Sequence, residues 1–253
     1  MTIKPPPRLP ANSAEKIDTF TLPKTGQTCD VVLLSANHAQ QISALNHIIT
    51  DALEEGQEGF VVNPSIETLQ TELSSDGKEC AVGVVLEGQL IAQAMMTLPT
   101  PEQPELETWN MCLTEPPETV AALHGMRVHP DYRGNSLMAA LVDARIKVAE
   151  DMGRTHIISE CDVDNPHSWA VLMKKGLRIE NTGPGVFPGG TIYHMHADRN
   201  RQKLADTFNK KSGVRIPAND LGQQQKAMAQ GMEGVSFDKN TKAILFLPKP
   251  KGP

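Results

Sequence analysis

Residues 133–136 (RGNS) stand between an apolar, strand-like segment and a long segment of helical period. The first turn of a helix presents amide N–H groups that have no internal partner, together with the positive end of the helix dipole. A helix start of this kind binds phosphate, and a small residue such as Gly134 lets the anion approach the backbone. The spacing therefore predicts that backbone amides from Arg133 to Met138 hold a phosphate group.

Histidine and cysteine spacing predicts no metal site. His194 and His196 form an H-x-H pair on one face of a predicted strand, but a metal needs at least a third ligand, so we expect strand packing. The four cysteines, at positions 29, 80, 112 and 161, lie far apart and form no CxxC pair. Reduced thiols in a cytoplasmic protein are the expected state.

A phosphate site at residues 133–136 needs a strand before it and a helix after it. Apolar periodicity predicts these over residues 119–128 and 136–152. Upstream, the pattern predicts a strand, two helices and a hairpin (30–34, after Ser35, from Asn63, and 80–86 with 90–98). Downstream, it predicts a strand, a short helix and two further strands (155–163, up to Gly176, 177–179 and 191–196). This order predicts an α+β fold with a mixed, mostly antiparallel sheet flanked by helices.

Both ends of the chain differ from this central part. Residues 1–27 are rich in proline and polar groups and show no apolar period, which predicts an N-terminal arm. Residues 199–253 form a predicted basic C-terminal extension with two helical stretches (201–211 and 220–232) and one apolar run (243–247). We therefore expect one domain over residues 28–198, with an appendage at each end.

Composition narrows the class of protein. The 253 residues are 39% hydrophobic and 21% charged, which is typical of soluble proteins, and the chain lacks a run of about 20 apolar residues that could span a membrane. The N-terminus lacks the apolar core of a secretory signal, so we expect a cytoplasmic protein. Residues 199–253 carry eleven Lys/Arg against four Asp/Glu, so the rest of the chain has a net charge of −13 within the total of −6. This acidic body argues against nucleic acid as a partner and favours cations.

The segment V-x-P-x-Y-R-G-x-x-L-x-x-x-L, read from Val128 to Leu141, resembles the coenzyme A-binding motif of the GNAT superfamily of N-acetyltransferases, Q/R-x-x-G-x-G/A. Residues 165–176 (NPHSWAVLMKKG) resemble the next segment of that family, and the resemblance covers about residues 28–197. Two positions depart from the motif, because Ser136 and Met138 stand where the family has glycine and glycine or alanine.

The resemblance implies a binding mode for coenzyme A. Backbone groups of Met126 and Val128 would pair with the pantetheine arm and help polarise the thioester, the helix start would hold the pyrophosphate, and Asn165 would bind the arm near the thiol. The expected cofactor-binding residues are Met126, Arg127, Val128, Arg133, Gly134, Asn135, Ser136, Leu137, Met138, Asn165 and Ser168.

Three residues are candidates for catalysis. His124 lies four residues before Val128, where related enzymes often have a glutamate base; it could take a proton from an amine, or it is a half-buried strand histidine. Glu160 could bind a cationic acceptor or face solvent. Leu172 occupies the place of the tyrosine that protonates the leaving thiolate in many members, and Tyr193 is a candidate replacement acid.

The sequence thus predicts acetyl transfer from acetyl-coenzyme A to a primary amine, either a small molecule or a protein amine, without a metal. A GNAT-like sensor or structural module that binds acyl-coenzyme A without catalysis is the alternative. A cationic acceptor is the expected partner, and a homodimer is a further possibility.

Overall fold

The structure, a computed structural model, describes residues 3–10, 13–53, 63–74, 78–102, 115–185, 189–202 and 213–249. Contacts divide the chain into two compact units. The first unit comprises Met1–Thr100 and Ala122–Met152, and the second comprises Pro101–Ala121 and Gly153–Pro253.

The first unit contains antiparallel strands in the spatial order of the chain. They are β1 (Glu15–Thr21), β2 (Thr28–Leu34), β3 (Glu79–Leu86), β4 (Gln89–Thr97) and β5 (Val120–Val128). Its helices are α1 (Ala39–Asp51), α2 (Ile66–Glu72) and α3 (Leu137–Asp151).

Alternating side chains of these strands bury two apolar clusters on opposite faces. Val32 and Met95 pack with Ile42 and other residues of α1 and α2. Val31 and neighbouring strand residues pack on the other face with Leu137 and other residues of α3. Helices therefore cover both faces of the sheet in this unit.

The second unit contains strands in the order β6-β8-β7-β10-β11-β9, and their described pairings are antiparallel. They are β6 (His156–Asp162), β7 (Arg178–Pro184), β8 (Thr191–Asp198), β9 (Val214–Pro217), β10 (Met232–Asp238) and β11 (Ala243–Pro248). Its helices are α4 (Pro166–Lys174), α5 (Arg199–Gln202) and α6 (Leu221–Ala229).

The C-terminal residues are part of the core of the second unit. Gly234 of β10 pairs with Ile179 of β7, and Phe237 packs edge-on against Trp169 of α4 with ring centroids 4.8 Å apart. Burial of these rings stabilises the contact between the C-terminal elements and the preceding ones.

The predicted α+β class, with mostly antiparallel strands flanked by helices, is confirmed. Strand β1 lies within residues 1–27, where we predicted no element, because this edge strand is largely exposed and its apolar pattern is weak. Strands β9 and β10 are also additional to the prediction. Cys112 and most of the predicted helix over residues 201–211 lie outside the described residues.

None of the helices in the described parts of the chain is long and apolar enough to cross a membrane.

Candidate active site

Residues 133–136 form an exposed turn between β5 and α3, apart from the buried Asn135. Gly134 has φ +77° and Ser136 has φ +60°, so both adopt the left-handed conformation that favours glycine. Ser136 stands where the motif has its glycine, and its backbone conformation is the one that a glycine adopts readily. Ser136 therefore adopts this left-handed conformation although it is not a glycine.

The first amides of α3 have no acceptor within the helix they begin. Ala140 N–H donates to Ser136 C=O, which is the first main-chain hydrogen bond of the helix. The amides of Leu137 and Met138 precede it, and no helical residue lies one turn back to accept from them. Ser136 makes no side-chain capping bond in the described part of the chain. This helix start can receive an anion.

Asn135 joins this turn to the connection between β1 and β2. Its Oδ1 accepts a hydrogen bond from the backbone N–H of Lys24 (3.2 Å), and its Nδ2 donates to Tyr132 C=O (3.1 Å). The Asn135 side chain, 4% exposed, thus has a structural role, and only its backbone could contact a phosphate.

Lys24 adds a cation that we did not predict. Its Nζ donates to Arg133 C=O (3.0 Å) and lies 2.6 Å from the position that a Cβ on Gly134 would take. The Lys24 ammonium and the helix start therefore present positive charge to the same exposed turn.

A bulge in β5 includes Met126, the first of the predicted cofactor-binding residues. Gln93 of β4 pairs with Arg127 and Met95 pairs with His124, so Gly125 and Met126 together face one residue of β4. Gly125 has φ +58°, and a Cβ there would lie 2.9 Å from Met95 Cγ. The bulge therefore depends on glycine.

Buried polar side chains hold the bulge. The Arg145 guanidinium, 1% exposed, donates from Nη1 to the carbonyls of Met95 (2.8 Å) and His124 (3.0 Å). Gln93 Nε2 donates to Gly125 C=O (3.2 Å) and to Asn46 Oδ1 (3.1 Å). These bonds fix the main chain that leads into Met126.

The three predicted strand residues, Met126, Arg127 and Val128, are half-buried. Arg127 Nη1 donates to Met126 C=O (3.1 Å). Burial lowers the pKa of Arg127. Val128 lies opposite Ala92 of β4.

His124 forms a polar cluster with Glu79 and Thr97. Its Nε2 lies 2.8 Å from Glu79 Oε2 and 3.1 Å from Thr97 Oγ1, and Thr97 Oγ1 donates to Glu79 Oε1 (2.6 Å). The Glu79 side chain is 6% exposed and the His124 side chain is 33% exposed. His124 is therefore a partly accessible imidazole attached to a buried carboxylate, and Glu79 is a residue that we did not predict.

In the second unit, Glu160 of β6 lies opposite His194 of β8, with 3.7 Å between Oε1 and Nε2. Burial lowers the pKa of His194, which favours a neutral imidazole. His196 stacks on His156 and bonds to Glu180 (Nδ1 to Oε1, 3.2 Å), so the H-x-H pair packs within the sheet. The described residues contain no group of three or more His, Cys, Asp or Glu side chains placed to hold a metal.

Asn165 and Ser168 lie at the start of α4. Asn165 Oδ1 accepts from Ser168 N–H (3.2 Å) and caps the helix, while its Nδ2 makes no hydrogen bond within the described residues. Ser168 Oγ lies 3.3 Å from Cys161 Sγ. Leu172 is buried and carries no proton to donate.

Tyr193 does not have the setting expected of a proton donor to a thiolate. Its ring is fully buried, and its hydroxyl donates to Gln224 Oε1 (2.6 Å) on α6. Burial raises the pKa of Tyr193 to about 12. We therefore assign Tyr193 a packing role and no catalytic one.

Comparison with known proteins adds independent information. A model of the acetyltransferase (GNAT) family matches residues 44–177, which is more than half of the 253 residues. No curated protein matches the chain.

Similar solved structures have low sequence identity to the chain. The GNAT domain of S. lividans PAT is 14% identical, with 75% of this chain and 99% of that chain covered and a TM-score of 0.51. An N-acetyltransferase from Staphylococcus aureus Mu50 is 13% identical, with 68% of this chain and 98% of that chain covered and a TM-score of 0.52. The aminoglycoside acetyltransferase AAC(6')-Ib is 15% identical, with 70% of this chain and 98% of that chain covered and a TM-score of 0.50. The likeness shows a shared fold, and with the family match it establishes that the chain belongs to the GNAT acetyltransferase family.

Proposed function

We propose that the protein transfers an acetyl group from acetyl-coenzyme A to a primary amine by direct attack. The observation that carries the proposal is the exposed turn at Gly134 and Ser136, which leads into the amides that begin α3. Membership of the GNAT family supports an acyltransferase activity. The aminoglycoside acetyltransferase of similar fold was solved with coenzyme A and kanamycin, which agrees with this donor and with an amine acceptor.

The residues of the first unit fit a diphosphate. Amides from Arg133 to Met138 would hold it, and the Lys24 ammonium would add an electrostatic contact at the same turn. The backbone of Met126 and Val128 would bind the pantetheine arm, in a position fixed by the bulge.

The reaction needs a base because an amine is protonated at neutral pH. A proton from R–NH₃⁺ passes to His124, and the amine nitrogen then forms a bond with the thioester carbonyl carbon. The carbon–sulfur bond breaks, and its electron pair leaves with sulfur as a thiolate. The nitrogen loses its second proton and the thiolate gains one through solvent, while His124 releases its own proton to solvent. The products are an N-acetyl amine, coenzyme A and one proton.

A cationic acceptor is the favoured class. The net charge of −13 over residues 1–198 attracts cations at modest ionic strength. Acceptors such as polyamines, aminoglycosides and lysine side chains share this charge.

Thiol release tests the proposal. Acetyl-coenzyme A is incubated with protein and, separately, spermidine, kanamycin, n-butylamine or a lysine-containing peptide, and free thiol and N-acetylated product are measured. The proposal predicts product with at least one amine and less product when His124 is replaced by Gln. The absence of coenzyme A binding in a calorimetric titration would contradict it.

A binding module without catalysis is the second candidate. The burial of Leu172 and Tyr193 favours it, because neither position offers an accessible phenol. Coenzyme A binding with no product from any amine in the panel would select this candidate.

A further inference from the structure

We infer that His129 is a positioning residue for coenzyme A, because its buried imidazole joins the N-terminal segment at Lys4 to the residues that lead into Gly134. The hydrogen bonds of the imidazole follow from geometry, and their effect on coenzyme A rests on the proposed function. His129 is not among the predicted site residues, and Lys4 lies 125 positions before it in the chain.

His129 lies between β5 and a short 3₁₀ turn. The 3₁₀ turn, Pro130–Tyr132, directly precedes residues 133–136. The N–H of His129 donates to Ile91 C=O on β4 (2.9 Å), and the C=O of His129 accepts from Tyr132 N–H (3.0 Å). The main chain of His129 is therefore bonded both to the sheet and to the 3₁₀ turn.

Both ring nitrogens of His129 bond to main-chain groups. Nδ1 accepts from Asp131 N–H (3.3 Å). A backbone N–H can only donate, so Nδ1 has the lone pair and Nε2 has the proton of the neutral ring. Nε2 donates in turn to Lys4 C=O (2.8 Å), which can only accept. A single tautomer thus satisfies both bonds, and the imidazole bridges the N-terminal segment and the 3₁₀ turn.

Burial strengthens this bridge. The His129 side chain is fully buried, so water does not compete for its ring nitrogens. The ring of Tyr132 meets the imidazole edge-on, with ring centroids 5.6 Å apart. The bridge and this ring contact together fix the position of the 3₁₀ turn relative to the sheet.

The 3₁₀ turn continues directly into residues 133–136. Arg133 N–H donates to Pro130 C=O (3.2 Å), and Asn135 Nδ2 donates to Tyr132 C=O (3.1 Å). A shift of the 3₁₀ turn would therefore move the amides that begin α3. Hydrogen bonds from these amides to a pyrophosphate weaken steeply with distance and angle, so His129 acts on the ligand through the turn.

Calorimetric binding of two ligands tests the inference. H129L removes both side-chain bonds and should weaken coenzyme A binding about tenfold, which corresponds to the net contribution of one or two hydrogen bonds. H129N keeps an acceptor for Asp131 N–H, as asparagine does at helix starts, and should weaken binding only about threefold. S-acetylpantetheine, which lacks the pyrophosphate, should bind to both variants within about twofold of wild type.

His38 provides the matched control. It is also fully buried in the first unit, its Nδ1 accepts from Ser35 N–H (3.0 Å), and its Nε2 is bonded to Ser13 Oγ (2.9 Å). It precedes α1 and not α3, so H38L removes the same kinds of bond at a different helix start. H38L should leave coenzyme A binding within about twofold of wild type.

Three calorimetric results would overturn the inference. They are wild-type affinity of H129L for coenzyme A, an equal loss of affinity for S-acetylpantetheine in H129L, and an equal loss of coenzyme A affinity in H38L. Thermal unfolding shows which variants are folded. H129N carries the same comparison if H129L does not fold, because it keeps one of the two bonds.

Nitrogen-15 NMR of labelled histidine tests the bridge without any ligand. At about pH 9, where an ordinary imidazole is neutral, the His129 signals should show the Nε2–H tautomer, and they are assigned by their loss in H129N. An Nδ1–H tautomer would overturn the bridge whatever the ligand binding. Absence of coenzyme A binding to the wild type would instead contradict the proposed function, and with it the role of His129 toward this ligand, while the NMR result for the bridge would stand.

Discussion

At the residue scale, the turn at Gly134 combines the backbone amides that begin α3 with the side-chain ammonium of Lys24. Lys24 reaches the turn from the connection between β1 and β2, and its Nζ bonds to Arg133 C=O. An exposed ammonium beside an anion contributes modestly, because solvent screens the attraction.

Replacement of Lys24 by Ala should weaken coenzyme A binding about fivefold at low salt, and less at higher salt. Binding of S-acetylpantetheine, which lacks the pyrophosphate, should not change. Calorimetry measures the binding of both ligands. The control is Lys16→Ala, because Lys16 is an exposed lysine of β1 that is paired with Asp30. An equal effect on both ligands would place Lys24 away from the phosphates.

Loss of the Tyr193 hydroxyl should lower the stability of the protein without lowering its catalytic rate. Tyr193→Phe leaves Gln224 Oε1 without its donor and should lower the free energy of unfolding by about 1–3 kcal/mol. Acetyl transfer should stay within about twofold of wild type.

Urea unfolding and thiol release measure the two effects of Tyr193→Phe. Tyr132→Phe is the control for stability, because its hydroxyl makes no hydrogen bond with the described residues. A kcat loss of about a hundredfold in Tyr193→Phe would restore Tyr193 as the catalytic acid.

Local sequence predicted the turn at Gly134 because its signal is contiguous: strand, small residue and amphipathic helix follow one another. Glu79 and Lys24 escaped prediction because their contacts join segments distant in the chain. Strand register brings Glu79 to His124, and register is set by packing of the whole sheet. Tyr193 was assigned from its residue type, and its burial depends on α6, whose packing the sequence pattern does not give.

At the element scale, the bulge of β5 links stability to the site. Arg145 and Gln93 bond to carbonyls on either side of the glycine in it. Met126 is part of this bulge and Val128 follows it, so a change in the geometry of the bulge would displace the residues that would bind the pantetheine arm.

Gly125→Ala should lower the free energy of unfolding by about 2–3 kcal/mol, because it adds both left-handed strain and a contact with Met95. Gly26→Ala is the control: its φ is +72° and nothing lies within 4 Å of the added Cβ, so only the strain of about 1 kcal/mol applies. Urea unfolding measures the free energy of unfolding of both variants. Equal losses of unfolding free energy would show that Met95 moves aside at no cost, which would contradict the prediction.

At the scale of the whole molecule, the C-terminal residues complete the second unit. Apolar periodicity predicted α6 and β11, but it did not show that β10 pairs with β7 or that Phe237 covers Trp169. Pairing partners far apart in sequence leave no local signal.

Truncation after Asp198 should give an insoluble or partly unfolded protein, since it uncovers Trp169 and Tyr193 and removes the strands beyond β7. Circular dichroism and size-exclusion chromatography measure this. A soluble truncated protein with a cooperative transition would show that residues 199–253 are dispensable for folding.

The central claim is that the turn before α3 binds the pyrophosphate of coenzyme A, and isothermal titration calorimetry tests it most directly. The wild-type protein should bind acetyl-coenzyme A with a Kd on the order of 10 µM. Gly134→Trp should show no binding, because the indole would fill the space that the anion needs. Gly153→Trp is the matched control, a left-handed glycine just beyond the other end of α3 with nothing within 4 Å of its added Cβ, and should bind like wild type. No binding by the wild type, or equal binding by Gly134→Trp, would contradict the account.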